Sequence, residues 1–132
     1  RVNKLENKIN AFNLAVSDKY GIVEVSNKSS SDQNEIVLKN INSTAVIALS
    51  LDQLVKLLHL SGPAELKIDI EGGENLLIRG AQQTLKKKIF KNIQIEYTYE
   101  NAAYIFSQLE EYGYKLKHKV ESKVCINSTF VI

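Results

Sequence analysis

One run constrains this fold more than any other: Leu66-Lys67-Ile68-Asp69-Ile70-Glu71-Gly72-Gly73-Glu74-Asn75-Leu76-Leu77-Ile78-Arg79-Gly80-Ala81. Side chains alternate along a strand, so Leu66, Ile68 and Ile70 share one face while Lys67, Asp69 and Glu71 share the other. Gly72 and Gly73 permit a sharp turn. After the turn, Leu77, Ile78, Ala81 and Leu85 recur at helical spacing. A strand that turns directly into a helix is the building unit of an α/β sheet, and such sheets bind ligands outside the carboxyl ends of their strands. Asp69, Glu71 and Glu74 stand at that junction.

The flanking segments extend the pattern. Val2, Leu5 and Ile9 are spaced as the last turns of a helix. The chain opens on Arg1 inside that pattern, so it reads as an N-terminally truncated fragment. Residues 11–16 form an apolar run broken only by Asn13 and predict a largely buried strand. A turn over 17–21 and a second strand carrying Ile22, Val23 and Val25 would make a hairpin-like unit with it. The polar stretch 27–34 predicts a solvated loop or a flap over a substrate, and residues 44–49 return to strand composition.

Ser50-Leu51-Asp52-Gln53 is a capping box, with Leu49 and Leu54 placed as a hydrophobic staple. Leu51, Leu54, Val55 and Leu58 form one stripe of the helix it starts, and Ser61-Gly62-Pro63 is the expected end. The helix after the glycine turn should run to Lys86, Lys87 and Lys88, cations that complement its dipole. Residues 93–97 predict a second parallel strand. Ala102, Ile105, Phe106 and Leu109 predict a third helix closed by Gly113. Residues 114–119, 122–126 and 129–132 read as short terminal strands, two of them antiparallel. Strand–helix alternation with short loops predicts an α/β fold, one domain over 1–132, with a mostly parallel sheet and an antiparallel final strand.

Composition excludes several classes. The 132 residues, 44% hydrophobic and 24% charged, suit one soluble globular domain. Seventeen basic and fifteen acidic residues nearly cancel, which argues against a nucleic-acid partner. No apolar run approaches the roughly 18 residues of a membrane span. Cys125 is the one cysteine, so an internal disulfide is excluded and a reducing, cytoplasmic location is expected. Its apolar neighbours Val124 and Ile126 suggest a small buried hydrophobe. His59, His118 and Cys125 are too scattered for a zinc pattern. Asp-Ile-Glu-Gly-Gly-Glu lacks the ligand spacing of an EF-hand. Neither a Gly-x-Ser-x-Gly elbow nor a Walker loop nor a dinucleotide fingerprint occurs.

The carboxylates therefore carry the chemistry. On 93–97, Gln94 and Glu96 alternate against Ile93 and Ile95. If this strand neighbours 66–70, then Lys67, Asp69, Glu71 and Glu96 gather near the carboxyl edge. An isolated buried charge is costly, and Lys67 is the natural counterion. Glu74 falls in a first helical turn, where the dipole favours a negative charge, and is assigned a structural role. The other acids could take a proton from a hydroxyl or hold Mg²⁺. The residues alone define an acidic site and no reaction.

At this point the sequence resembles the FkbM-type methyltransferases, which use S-adenosylmethionine. The resemblance lies in Ala15-Val16-Ser17-Asp18 before Gly21, Leu51-Asp52-Gln53-Leu54, Leu66 to Glu74, Ile78-Arg79-Gly80-Ala81 and Ile93-Gln94-Ile95-Glu96. It implies a class I methyltransferase (Rossmann-like) sheet. In that family a glycine-rich turn and an acid-ended strand precede everything seen here, so the chain should hold roughly the last five strands and half of the cofactor site. The resemblance implies that Ser17 and Asp18 contact the adenine, and that Asp69 and Glu71 face the sulfonium and the acceptor. Asp69, Glu71 and Glu96, in that order, are the candidate catalytic residues, and the motif leaves open which carboxylate, or a bound cation, assists deprotonation of the acceptor. The implied acceptor is a hydroxyl of a sugar or natural product. No metal ligand is assigned, and Mg²⁺ has no motif behind it. The alternative is a non-catalytic α/β binding or assembly module built on the same fold. Strands missing from the sheet would leave an open edge, which favours self-association.

Overall fold

A computed structural model describes residues 7–26, 36–37, 43–70 and 72–132. Two four-stranded mixed sheets carry the chain. The first takes the order β1-β4-β2-β3, from β1 (Ala15–Ser17), β2 (Gly21–Ser26), β3 (Ile36–Val37) and β4 (Ser43–Ser50). The second takes the order β5-β6-β8-β7, from β5 (Ala64–Ile68), β6 (Phe90–Tyr97), β7 (Lys115–Glu121) and β8 (Ile126–Val131). The mostly parallel sheet read from the sequence is corrected: β1–β4 and β5–β6 are parallel, and the other described pairings are antiparallel. A parallel pair needs a crossover connection. Helices supply one between β5 and β6, whereas β6, β7 and β8 end in an antiparallel arrangement.

The expected hairpin of the first two strands is also corrected. Strand β4 lies between them, Ala48 pairing with Ala15 on one side and Gly21 on the other. Residues 11–14 form no strand, and Phe12 is 55% exposed, no described strand pairing with them. The expected helix at 2–9 falls mostly outside the described residues, and residues 7–8 are a turn. The polar stretch 27–34 also lies outside them.

The capping box forms as read. Ser50 Oγ accepts from the Gln53 amide, and the Gln53 side chain accepts from the Ser50 amide. Helix α1 (Leu51–Leu57) buries Leu51 and Val55. It stops earlier than Ser61-Gly62-Pro63, in a Schellman turn with His59 at φ 51°. The His59 amide donates to Lys56 O and the Leu60 amide to Val55 O.

The helix expected after the glycine turn is two, α2 (Glu74–Arg79) and α3 (Gln82–Lys86), broken at Gly80. The stripe Leu77, Ile78, Ala81 and Leu85 is nevertheless fully buried. Helix α4 (Tyr99–Glu111) buries Ile105 and Leu109 and ends on Gly113 at φ 80°.

In the second sheet, Phe90, Ile93, Ile95 and Tyr97 of β6 all face the helices. Phe90 and Ile93 share a face despite odd spacing because the β5–β6 register shifts there, Ala64 pairing with Phe90 and Glu65 with Asn92. The extra residue, Lys91, flips the alternation. Strand β8 adds Ile126, Ser128 and Phe130 to the buried layer. Two terminal strands form rather than three. Residues 122–125 are a turn in which Ser122 Oγ accepts from the Val124 and Cys125 amides.

Candidate active site

Strands β5 and β6 run side by side in parallel, Lys67 opposite Gln94 and Ile68 opposite Ile95. Their carboxyl ends therefore come out together. Asp69 follows β5 directly and Glu96 is the penultimate residue of β6. With Gly72, Glu74, Tyr97, Thr98 and Cys125 they line a cavity of about 30 Å³. That volume holds little more than a water molecule or two, so it can take reacting atoms but not a whole cofactor. A larger hollow, about 550 Å³, lies away from these strand ends, between α1 and α3.

Lys67 Nζ bonds Asp69 Oδ2 at 2.7 Å. Lys67 is the counterion of Asp69 as expected, but the pair stands open to solvent, the side chains being 62% and 44% exposed, so Asp69 is not a buried charge. The hydrogen bond to Asp69 and then its charge hold the Lys67 ammonium above the usual lysine range, with a smaller contribution from Glu96. Lys67 is thus a fixed cation that keeps one Asp69 oxygen oriented. Glu96 is held from the neighbouring strand, Asn127 Nδ2 donating to Oε2 at 2.6 Å, because Asn127 is its direct partner in the β6–β8 register.

Glu74 is 2% exposed. Its Oε1 accepts from the Gly72 amide at 2.8 Å and its Oε2 from Asn101 Nδ2 at 3.3 Å. The structural role read for it stands, yet it also lines the same cavity as Asp69 and Glu96. Glu71 lies outside the described residues. Cys125 is half-buried in the 122–125 turn, 3.2 Å from Ser122 Oγ, rather than in a strand core. Among the described residues, no three His, Cys, Asp or Glu side chains group to hold a metal ion.

Ser17 and Asp18 are not brought to this cavity. Ser17 is buried, with its hydroxyl 3.3 Å from Asp18 Oδ1, and both backbones press on Gly80. They sit at the far end of α2, six residues and about 9 Å from its start.

The comparisons with known proteins decide the family. A model of the methyltransferase FkbM domain matches residues 2–116. The chain belongs to the FkbM methyltransferase family. No curated protein and no solved structure matches it. Within this FkbM chain, two polar contacts of the cavity were invisible to sequence reasoning. Asn127 becomes visible only through strand register, and Asn101 only once α4 is packed against α2. Among the described residues, no helix is long and apolar enough to cross a membrane.

Proposed function

We propose that this chain is the acceptor-side part of an S-adenosylmethionine-dependent O-methyltransferase of class I architecture, acting on a small-molecule or sugar hydroxyl. One observation carries the reading. In a chain of a methyltransferase family, Asp69 and Glu96 from adjacent parallel strands line one cavity at the strand ends. The order β5-β6-β8-β7, with an antiparallel last strand inserted beside β6, supports the class I assignment. Among the described residues, β1 pairs only with β4 and β5 only with β6, which leaves one edge of each strand without a described partner. Those same edges favour self-association. The single cysteine fits a reducing cytoplasm.

The wall chemistry supports a cationic methyl donor: Asp69, Glu74 and Glu96 line it, and only Asp69 carries a described ion pair, to Lys67. When bound, S-adenosylmethionine supplies an electrophilic methyl on sulfur, the electron pair of the breaking bond staying on the sulfur. Ser17 and Asp18 would hold its adenine end. Asp69 would accept the proton of the acceptor hydroxyl, readying that oxygen for the methyl the donor would supply. Lys67, bonded to Asp69 Oδ2, keeps the receiving carboxyl group in place. Glu96, pinned by Asn127, orients the hydroxyl by hydrogen bonding, so that the attacking oxygen meets the methyl in line.

The test is Asp69→Asn in the intact protein. An exposed ion pair contributes at most about 1 kcal/mol to stability, so the variant should fold normally. Methyl transfer should fall about a hundredfold or more. Full turnover would remove Asp69 from the reaction. An intact protein that neither binds S-adenosylmethionine in calorimetry nor transfers methyl groups would favour the non-catalytic module.

A further inference from the structure

Four residues form a hydrogen-bonded chain whose direction is set at one end. Both Glu74 oxygens accept, Oε1 from the Gly72 amide and Oε2 from Asn101 Nδ2. With its amide nitrogen committed, Asn101 presents Oδ1 to Asn75 Nδ2 at 2.6 Å. This leaves Asn75 Oδ1 buried with no partner among the described residues. Flipping the Asn101 amide would place an oxygen against the Glu74 carboxylate, so the orphan acceptor cannot be relieved that way. A buried acceptor left unmade costs roughly 1–3 kcal/mol. The arrangement therefore keeps Glu74 satisfied at the expense of Asn75.

The endpoints of this chain matter. Gly72, at φ 94°, is the turn that follows Asp69. Asn101 stands in the first turn of α4, which begins right after Glu96 and Tyr97 end β6. The network thus ties the loop after β5 to the helix after β6, one on each side of the cavity.

We infer that Asn101 is a positioning residue: acting through Glu74, it holds Gly72 beside the end of β6 and so fixes the geometry of the carboxylates. It touches no reacting atom. The inference rests on the proposed methyltransferase reading only for its kinetic consequence. Its structural consequence stands independently.

The experiment compares Asn101→Ala and the isosteric Asn101→Asp with the parent protein. Both remove the donor to Glu74, and Asn101→Asp does so without a change of volume. Amide hydrogen exchange of Gly72 should accelerate about tenfold or more, with Ile95 and Leu109 keeping their protection. In methyl transfer, kcat should fall by a similar factor while KM for the acceptor changes less than about twofold. Unchanged exchange at Gly72 in both variants overturns the inference. So does a uniform loss of protection at Gly72, Ile95 and Leu109, which would mark Asn101 as general packing. A kcat that stays at the parent value while Gly72 exchange accelerates also overturns it. A parent protein without methyl transfer would instead sink the reading beneath it, with the exchange result still deciding whether Asn101 holds the turn.

Discussion

Gly80 shows how one residue can be indispensable for a reason its own backbone does not reveal. Its φ of −82° is open to any residue, unlike the positive φ of Gly72. What it lacks is room. A Cβ there would collide with Ser17 O and come within 2.9 Å of Ser50 Cβ and 3.1 Å of Asp18 Cα. Gly80 O also accepts from the Asp52 amide at 2.9 Å, so α2, α1 and the end of β1 converge on this point. Gly80→Ala should therefore cost about 1–3 kcal/mol through forced backbone shifts. Gly21→Ala, whose Cβ would meet nothing within 4 Å, should stay within about 0.5 kcal/mol. Urea unfolding midpoints at constant m-value check both, and equal midpoints would refute the crowding argument. The turn at Gly72 was legible in the sequence because two adjacent glycines mark it locally. The role of Gly80 was not, since its three neighbours Ser17, Asp18 and Ser50 lie between 30 and 63 residues away along the chain.

Among the elements, α3 starts with no side-chain cap of its own, its N-cap being Ala81. The cap comes from another helix. Asp52 Oδ2 accepts from the Gln83 amide at 3.0 Å and Oδ1 from the Thr84 amide at 2.8 Å. A carboxylate at a helix N-terminus satisfies orphan donors and complements the dipole. Asp52→Ala should thus destabilise the protein by about 1 kcal/mol, although it lies in the first turn of α1 rather than α3. Asp52→Asn should recover part of that loss through one remaining acceptor. Equal stability of all three proteins in urea would show that the cap contributes nothing. Element identity was legible wherever it rested on local signals: the Ser50 capping box, the stripe through Leu77 and Leu85, the stop at Gly113. Pairing was not, because β4 reaches β1 and β2 across the intervening chain, and no local pattern announces that Ala48 will separate Ala15 from Gly21. That Asp69 and Glu96 come to one strand edge was legible because both ends of one strand–helix–strand unit were. The bonds from Asn127 to Glu96 and from Asn101 to Glu74 depended on register and packing.

Across the whole molecule, the second sheet buries one face against helices and leaves Lys67 and Gln94 exposed on the other. Its buried layer includes two tyrosines, each 1% exposed. Tyr97 OH pairs with Ser128 Oγ at 2.7 Å, and Tyr114 OH donates to Phe90 O at 2.7 Å. Burial raises both phenols above their ordinary 10.0, with Ser128 and Lys119 offsetting part of the shift at Tyr97. The folded state therefore holds these protons where the unfolded chain releases them. With a raised folded pKa, the stabilising contribution is whole below the unfolded value and is lost as pH rises through the folded one. Lys67 and Lys119 are shifted in the same direction, but both are exposed and screened, so their share is small. Stability to urea should be steady on the acid side of pH 10 and fall as the pH passes from about 10 to 12. Tyrosinate absorbance should rise in step with unfolding for part of its amplitude. Tyr114→Phe should shallow that alkaline slope, while lowering stability at neutral pH by about 1 kcal/mol because Phe90 O loses its donor. The coupling is wrong if the parent keeps constant stability through this range, or if all its tyrosines ionise together in the folded protein.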